Sequence, residues 1–286
     1  MEAFRLVFRT IIRNFADDYE MASHMRTLLI AVFSVFQLFT AVGQQLGDVV
    51  ILGDSNTWIG GDACDKPEGW NKWFKEALQP KSCRSYARSG ATWTNTPETR
   101  RNTRENIGVL GNDNVVYNQI CRLQEAVDSG VQATPHVILI LAGTNDAWFR
   151  KARPQVFAMS AEEAFAKRCC CCAKRPVSEI VTLAASVRYG CELLQAQYPQ
   201  AQIILLTPFE SVQAGAEPIA KAGDIIAACG QKMGLHVIRL DQQSGIRAKQ
   251  EQARKHLTTD GTHTSVAGAR KVGKYVAQQV AALLQP

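Results

Sequence analysis

"VVILGDSNTWIGGDAC", residues 49–64, sets an uninterrupted apolar run against Gly53-Asp54-Ser55-Asn56. Such a run suits a strand covered on both faces. Its polar end suits a turn, because Gly, Asp, Ser and Asn all favour turns. It equally suits a displayed nucleophile, because α/β proteins present reactive groups at the carboxyl ends of their strands. The other strands have to decide between the two.

Outward from this stretch, short apolar runs at 84–87, 137–141, 203–207 and 236–240 read as four more strands. Helical periodicity falls between them, at 70–78, 116–127, 179–197 and 219–233, and again at 266–284. A helix between successive strands implies a parallel sheet in a three-layer α/β/α sandwich. There is no internal repeat and no long linker, so 44–286 reads as a single domain. Two segments break the rhythm: a polar one at 91–114 and an aromatic, basic, cysteine-bearing one at 147–177. Both follow strands, so both are expected to overhang the carboxyl edge of the sheet.

The 286 residues are 46% hydrophobic and 20% charged, with 32 basic against 26 acidic side chains and a net charge of +6. The basic residues are dispersed and no nucleic-acid recognition motif accompanies them, which argues against a nucleic-acid partner. From Met25 one positive charge precedes an apolar run that ends at Ala41-Val42-Gly43. That is the order of a signal peptide over 25–43, with cleavage before Gln44 and export of the mature chain. Glutamines interrupt the run and leave it short of a membrane span, so no stable span is expected in the mature form. Residues 1–24 carry Phe4, Val7, Phe8, Ile11, Ile12 and Phe15 at helical spacing beside Arg5, Arg9 and Arg13. They read as an interfacial helix or as an upstream extension from a misassigned start at Met1.

Nine cysteines are compatible with disulfides in an exported protein. Cys64, Cys83, Cys121, Cys191 and Cys229 are scattered, while Cys169 to Cys172 are consecutive and read as part of a loop or lid. No spacing matches a zinc site, and no metal or cofactor is expected.

Four strand-end elements carry the chemistry. The first strand delivers Ser55 and the second, through "YARSGATW", delivers Gly90. The third, through "LAGTNDAW", delivers Asn145. Near the carboxyl terminus "TTDGTHTSVAG" places Asp260 three residues ahead of His263, at the entry to the last helix. Parallel topology brings these ends to one rim. A serine, a backbone-exposing glycine, a side-chain amide and an Asp–His pair are the components of acyl transfer.

Gly53-Asp54-Ser55, Gly90, Gly143-Thr144-Asn145-Asp146 and Asp260-Gly261-Thr262-His263 resemble, in order, the four blocks of the SGNH (GDSL-type) hydrolases. The resemblance spans about 48–268, with Asn56 standing where the motif has leucine. It implies a flavodoxin-like sheet of strand order 2-1-3-4-5 and ester hydrolysis without a metal. In the residues' own chemistry, His263 is the base that a serine hydroxyl needs near neutral pH. Asp260 would fix its tautomer and stabilise the imidazolium. The N–H groups of Ser55 and Gly90 and the amide of Asn145 would receive the oxyanion. Asp54 and Asp146 are expected to support the loops by accepting from backbone. Among the other histidines, His256 is the competitor, but Ala253 stands where its orienting carboxylate would be.

Trp58, Trp93 and Trp148 each lie three residues past one of the three oxyanion elements. They are expected either to wall the site with indoles suited to sugars or aromatic esters, or to pack beneath the loops. The reading is a serine esterase acting through an acyl-Ser55 intermediate on a small-molecule or carbohydrate ester, with carbohydrate O-deacetylation foremost. A lipid-type esterase or thioesterase, or an acyltransferase using the same residues, is the alternative. A non-catalytic binding module would have lost a member of the constellation, and none is lost.

Overall fold

β1 (Asp48–Gly53) is buried at all six positions, as a central parallel strand must be. It lies between β2 (Ser82–Ser85) and β3 (Val137–Leu141), and β4 (Gln202–Leu206) and β5 (His236–Ile238) continue the sheet. All four pairings are parallel and the order is 2-1-3-4-5. The computed structural model describes residues 46–166 and 175–284, which fall in one compact unit.

The helices follow in chain order: α1 (Ser55–Trp58), α2 (Trp70–Leu78), α3 (Val116–Asp128), α4 (Thr144–Trp148) and α5 (Ala161–Ala166) precede α6 (Leu183–Gln197). Then come α7 (Ala216–Lys232), α8 (Leu240–Gln243), α9 (Ala248–Ala253) and α10 (Val266–Leu284). Alternation along the strands sorts the core into two halves, because successive strand side chains point to opposite faces. Val50, Leu52, Ile138, Ile140 and Leu205 join the buried sides of α3, α6 and α7. Val49, Ile51, Leu139, Leu141 and Leu206 join Trp70 and Phe74 of α2 and Val272, Val276 and Val280 of α10. Three layers result, with the sheet in the middle.

Several boundaries differ from the sequence expectation, and those of β2 and α6 have clear causes. β2 occupies Ser82–Ser85 instead of 84–87, because Asp48 pairs with Ser82 and Ile51 with Ser85. The N–H groups of Tyr86 and Arg88 still donate to Ile51 and Gly53 carbonyls, at 2.8 and 3.2 Å. α6 begins at Leu183 instead of 179, because the Thr182 side chain caps it by accepting from the Ala185 N–H and Val177–Glu179 forms a separate 3-10 turn. Among the described residues no helix is long and apolar enough to cross a membrane. The 1–24 extension, the 25–43 signal segment and Cys169 to Cys172 lie outside the described residues.

Candidate active site

Ser55 opens α1 directly beyond β1, and the turn that presents it is held from several sides. A Cβ on Gly53 would fall 2.3 Å from the Leu141 carbonyl oxygen, so this close approach to β3 requires glycine. Gln119, buried on α3, accepts from the Gly53 N–H at 2.8 Å and donates to the Gly53 carbonyl at 2.7 Å. Asp54 caps α1 by accepting from the Asn56 N–H at 3.0 Å. Full burial pushes the Asp54 carboxyl up to about 6, against the opposing pull of that N–H, the Thr144 hydroxyl and the charge of His263.

His263 is 208 positions away in the chain, yet its Nε2 lies 2.8 Å from Ser55 Oγ. Its Nδ1 lies 2.6 Å from Asp260 Oδ2. The second oxygen, Oδ1, accepts from the backbone N–H groups of Thr262 and His263 at 2.8 and 2.7 Å. Partial burial raises the Asp260 carboxyl, but the His263 and Thr262 hydrogen bonds outweigh it and leave the group below its ordinary range. An anionic carboxylate therefore faces Nδ1, which sets Nδ1 as the donor and leaves Nε2 able to accept from the serine.

The turn bearing Asp260 and His263 is braced on two sides. Glu251 of α9, 3% exposed, accepts from the N–H groups of His256, Leu257 and Thr258 and from the Thr258 hydroxyl. From the loop after β4, Val212 N–H donates to the Gly261 carbonyl at 2.8 Å and Gln213 Nε2 to the Asp260 carbonyl at 2.6 Å. His256 is exposed and is not the histidine brought to Ser55.

Gly90 has φ +78°, a left-handed conformation that favours glycine, in the turn closed by Ala91 N–H donating to Arg88 O. Among the described residues neither the Ser55 nor the Gly90 backbone N–H has a hydrogen-bond partner. Asn145 of α4 donates one amide hydrogen to the Ala91 carbonyl at 2.9 Å, and its amide carries a second. Asp146, its neighbour, accepts from the N–H groups of Trp93 and Thr94, both at 2.9 Å, and from the Thr94 hydroxyl. Burial raises the Asp146 carboxyl despite these donors. Asn145 and Asp146 thus moor the Gly90 loop to the end of β3. Arg153, also buried, bridges the two long segments through Thr92 Oγ1, the Thr94 carbonyl and the Leu110 and Gly111 carbonyls.

The tryptophan wall is corrected to a single indole. Trp93 is 2% exposed and belongs to the core beneath α3 and α6, where a Cβ on Gly190 would lie 3.0 Å from its ring. The Asp146 hydrogen bonds to residues 93 and 94 turn that strand of loop inward, so the indole points away from the rim. Trp148 is partly buried and packs on the Ala147, Ala214 and Ile219 cluster. Trp58 alone is open, at 46% exposure. With His263, Thr259, Asp62, Lys66 and Glu68 it lines a cleft of about 660 Å³.

Gln119, Arg153 and Glu251 are the supports that sequence reading missed. Each is one polar residue among others on an ordinary helix or loop. Burial, their distinguishing property, has no local signal. Among the described residues no cluster of three His, Cys, Asp or Glu side chains could hold a metal ion.

A parallel α/β/α sandwich thus brings a serine, an imidazole and a carboxylate together at the carboxyl ends of its strands. The chain belongs to the GDSL-like lipase/acylhydrolase family, whose model matches residues 51–271. No curated protein matches the sequence closely enough to be set beside it. Among solved structures, a protein from Bacteroides uniformis described as a GDSL-like lipase is similar at TM-score 0.54 and 19% identity, over 84% of this chain and 97% of that one. A Lactobacillus plantarum protein reaches 0.55 at 14% identity, over 85% and 100%. An acetyl xylan esterase reaches 0.50 at 17% identity, over 83% and 100%. At these identities the likeness is one of fold.

Proposed function

We propose that this protein is an exported serine esterase that removes an acyl group, foremost acetyl, from a carbohydrate. The observation that carries the mechanism is the hydrogen-bonded series Ser55 Oγ, His263 Nε2, His263 Nδ1, Asp260 Oδ2, at 2.8 and 2.6 Å. His263 takes the Ser55 proton as Oγ attacks the ester carbonyl carbon, and Asp260 stabilises the imidazolium. The Ser55 and Gly90 N–H groups and the free Asn145 amide hydrogen meet the negative oxygen, where one donor typically contributes about 3–4 kcal/mol. Collapse breaks the ester C–O bond, and His263 returns its proton to the departing alcohol. Water, deprotonated by the same imidazole, then hydrolyses acyl-Ser55.

The cleft supports a saccharide alcohol over a lipid one. Trp58 offers an indole face for stacking. Asp62, which also accepts from Arg88 at 2.9 Å, and Glu68 beside it place carboxylate oxygens where hydroxyl donors would lie. The test is a panel of acetylated sugars, p-nitrophenyl esters of increasing chain length and acyl thioesters, with product analysis at high sugar acceptor. Release of free acetate, with a loss of at least about 10⁴-fold in Ser55→Ala, is the expected result. Preference for long acyl chains, for thioesters or for transfer to the acceptor would replace the carbohydrate reading while leaving the serine mechanism. Undiminished activity in Ser55→Ala would remove the mechanism itself.

A further inference from the structure

Two cysteines with no part in the ester chemistry are placed in contact. Cys64 lies in the 59–69 segment that forms most of the cleft wall, and Cys83 is the second residue of β2. Both are buried in the half of the core shared with α2 and α10. Their thiols share a hydrogen bond. The two backbone segments are joined alongside by the Ser85 N–H, which donates to the Asp62 carbonyl at 2.8 Å. Asn71 Nδ2 donates to Cys64 Sγ at 3.4 Å. Cys64 also borders a hollow of about 310 Å³ with Lys72, Lys75, Glu76 and Gln79.

The two thiols are electrostatically unequal. The Cys83 S–H bond holds the Cys64 thiol below its ordinary range, with the Asn71 amide and the Lys75 ammonium adding to it and burial opposing. Cys83, as donor to Cys64 and buried besides, is pushed up. Two neighbouring thiols of this kind can be oxidised to one disulfide.

We propose that Cys64 and Cys83 form a disulfide that staples the 59–69 wall of the cleft to β2. The oxidant is a small or protein disulfide, such as oxidised glutathione. Cys64 thiolate attacks one of its sulfurs, forming a mixed disulfide and expelling one thiolate. Cys83 then loses its proton and attacks Cys64 Sγ, expelling the second thiolate. Two thiols are oxidised to one disulfide, and the reagent is reduced to two thiols by the same electron pair. The closed loop of about 20 residues contains all of α2, so the cross-link removes unfolded-state freedom from that helix and its flanking turns. The inference stands on these contacts and is independent of the esterase reading.

The experiment takes the full purified chain, reduces it, and incubates it in buffers of increasing oxidised-to-reduced glutathione ratio. Free thiols are then alkylated and peptides mapped without reduction. Expected is a peptide pair joined through residues 64 and 83, lighter by two hydrogens than the separate thiols. The oxidised protein should melt several degrees above the reduced one, and Cys83→Ser should abolish that difference. Recovery of both cysteines as alkylated thiols after oxidation, or linkage of either to another cysteine, overturns the pairing. Linkage without any gain in Tm overturns the staple. The wild-type map decides the pairing even if Cys83→Ser does not fold.

Discussion

At the residue scale the site shows how burial and hydrogen bonding divide labour among carboxylates. Asp260 keeps its charge because three donors compensate its partial burial, whereas Asp54 is fully buried and is pushed up to about 6. For Asp54 the folded state holds its proton more tightly than the unfolded chain, whose value is the ordinary 3.8. Folding therefore loses stability as pH rises between these two values. Asp54→Asn keeps the oxygen that accepts from Asn56 and removes the charge. We expect it to be more stable than wild type at pH 7.5, by on the order of 2–3 kcal/mol, with the advantage shrinking from pH 6 downward and gone near pH 4. Denaturant melts of both proteins across this range check it. Asn56, the departure from the family's leucine, is 1% exposed and both its amide atoms lack partners among the described residues. An unsatisfied buried amide costs about 1–3 kcal/mol. Asn56→Leu is accordingly expected to raise Tm by a few degrees in a calorimetric scan.

At the scale of elements, the sheet and its two helical layers set where each loop can go. α10 and α2 are the most intimate helix pair, and they meet at Gly273. A Cβ there would lie 2.3 Å from the Trp70 carbonyl oxygen and 2.7 Å from Trp73 Cβ. Helix propensity alone would make Gly273→Ala stabilising by up to about 1 kcal/mol. Backbone cannot yield as a flexible side chain does, so overpacking should win, at about 1–3 kcal/mol of net loss. An unchanged or higher Tm would mean the helices separate more easily than their packing indicates. Strands and main helices were legible because short apolar runs and a 3.6-residue periodicity are local properties of the chain. The ends of β2 and α6 were not. The first is set by register against β1, and the second by a Thr182 cap, which the periodicity of the helix does not contain.

At the scale of the whole molecule, the cleft beside His263 is assembled from the turn after α1 and the loop before α10. The Thr264 hydroxyl joins them by donating to the Glu68 carbonyl at 2.7 Å. Trp58 and Trp93 then make opposite predictions from the same residue type. Trp58→Ala should raise KM for large sugar esters several-fold, leaving small acetyl esters and Tm nearly unchanged. Trp93→Ala should cost about 3–5 kcal/mol of stability as a core cavity, with no selective effect on large substrates. Steady-state kinetics on both ester sizes, paired with melts of each variant, separate the two roles.

By itself the sequence determined the parallel α/β/α class and the blocks carrying Ser55, Gly90, Asn145, Asp260 and His263, because apolar runs, helical periodicity and motif order are written along the chain. Only the tertiary structure decided which way side chains such as Trp58 and Trp93 face. It alone showed that Gln119, Arg153 and Glu251 hold the loops, and that Cys64 meets Cys83. Those facts depend on burial and on contacts between residues distant in sequence, and neither exists until the layers have packed.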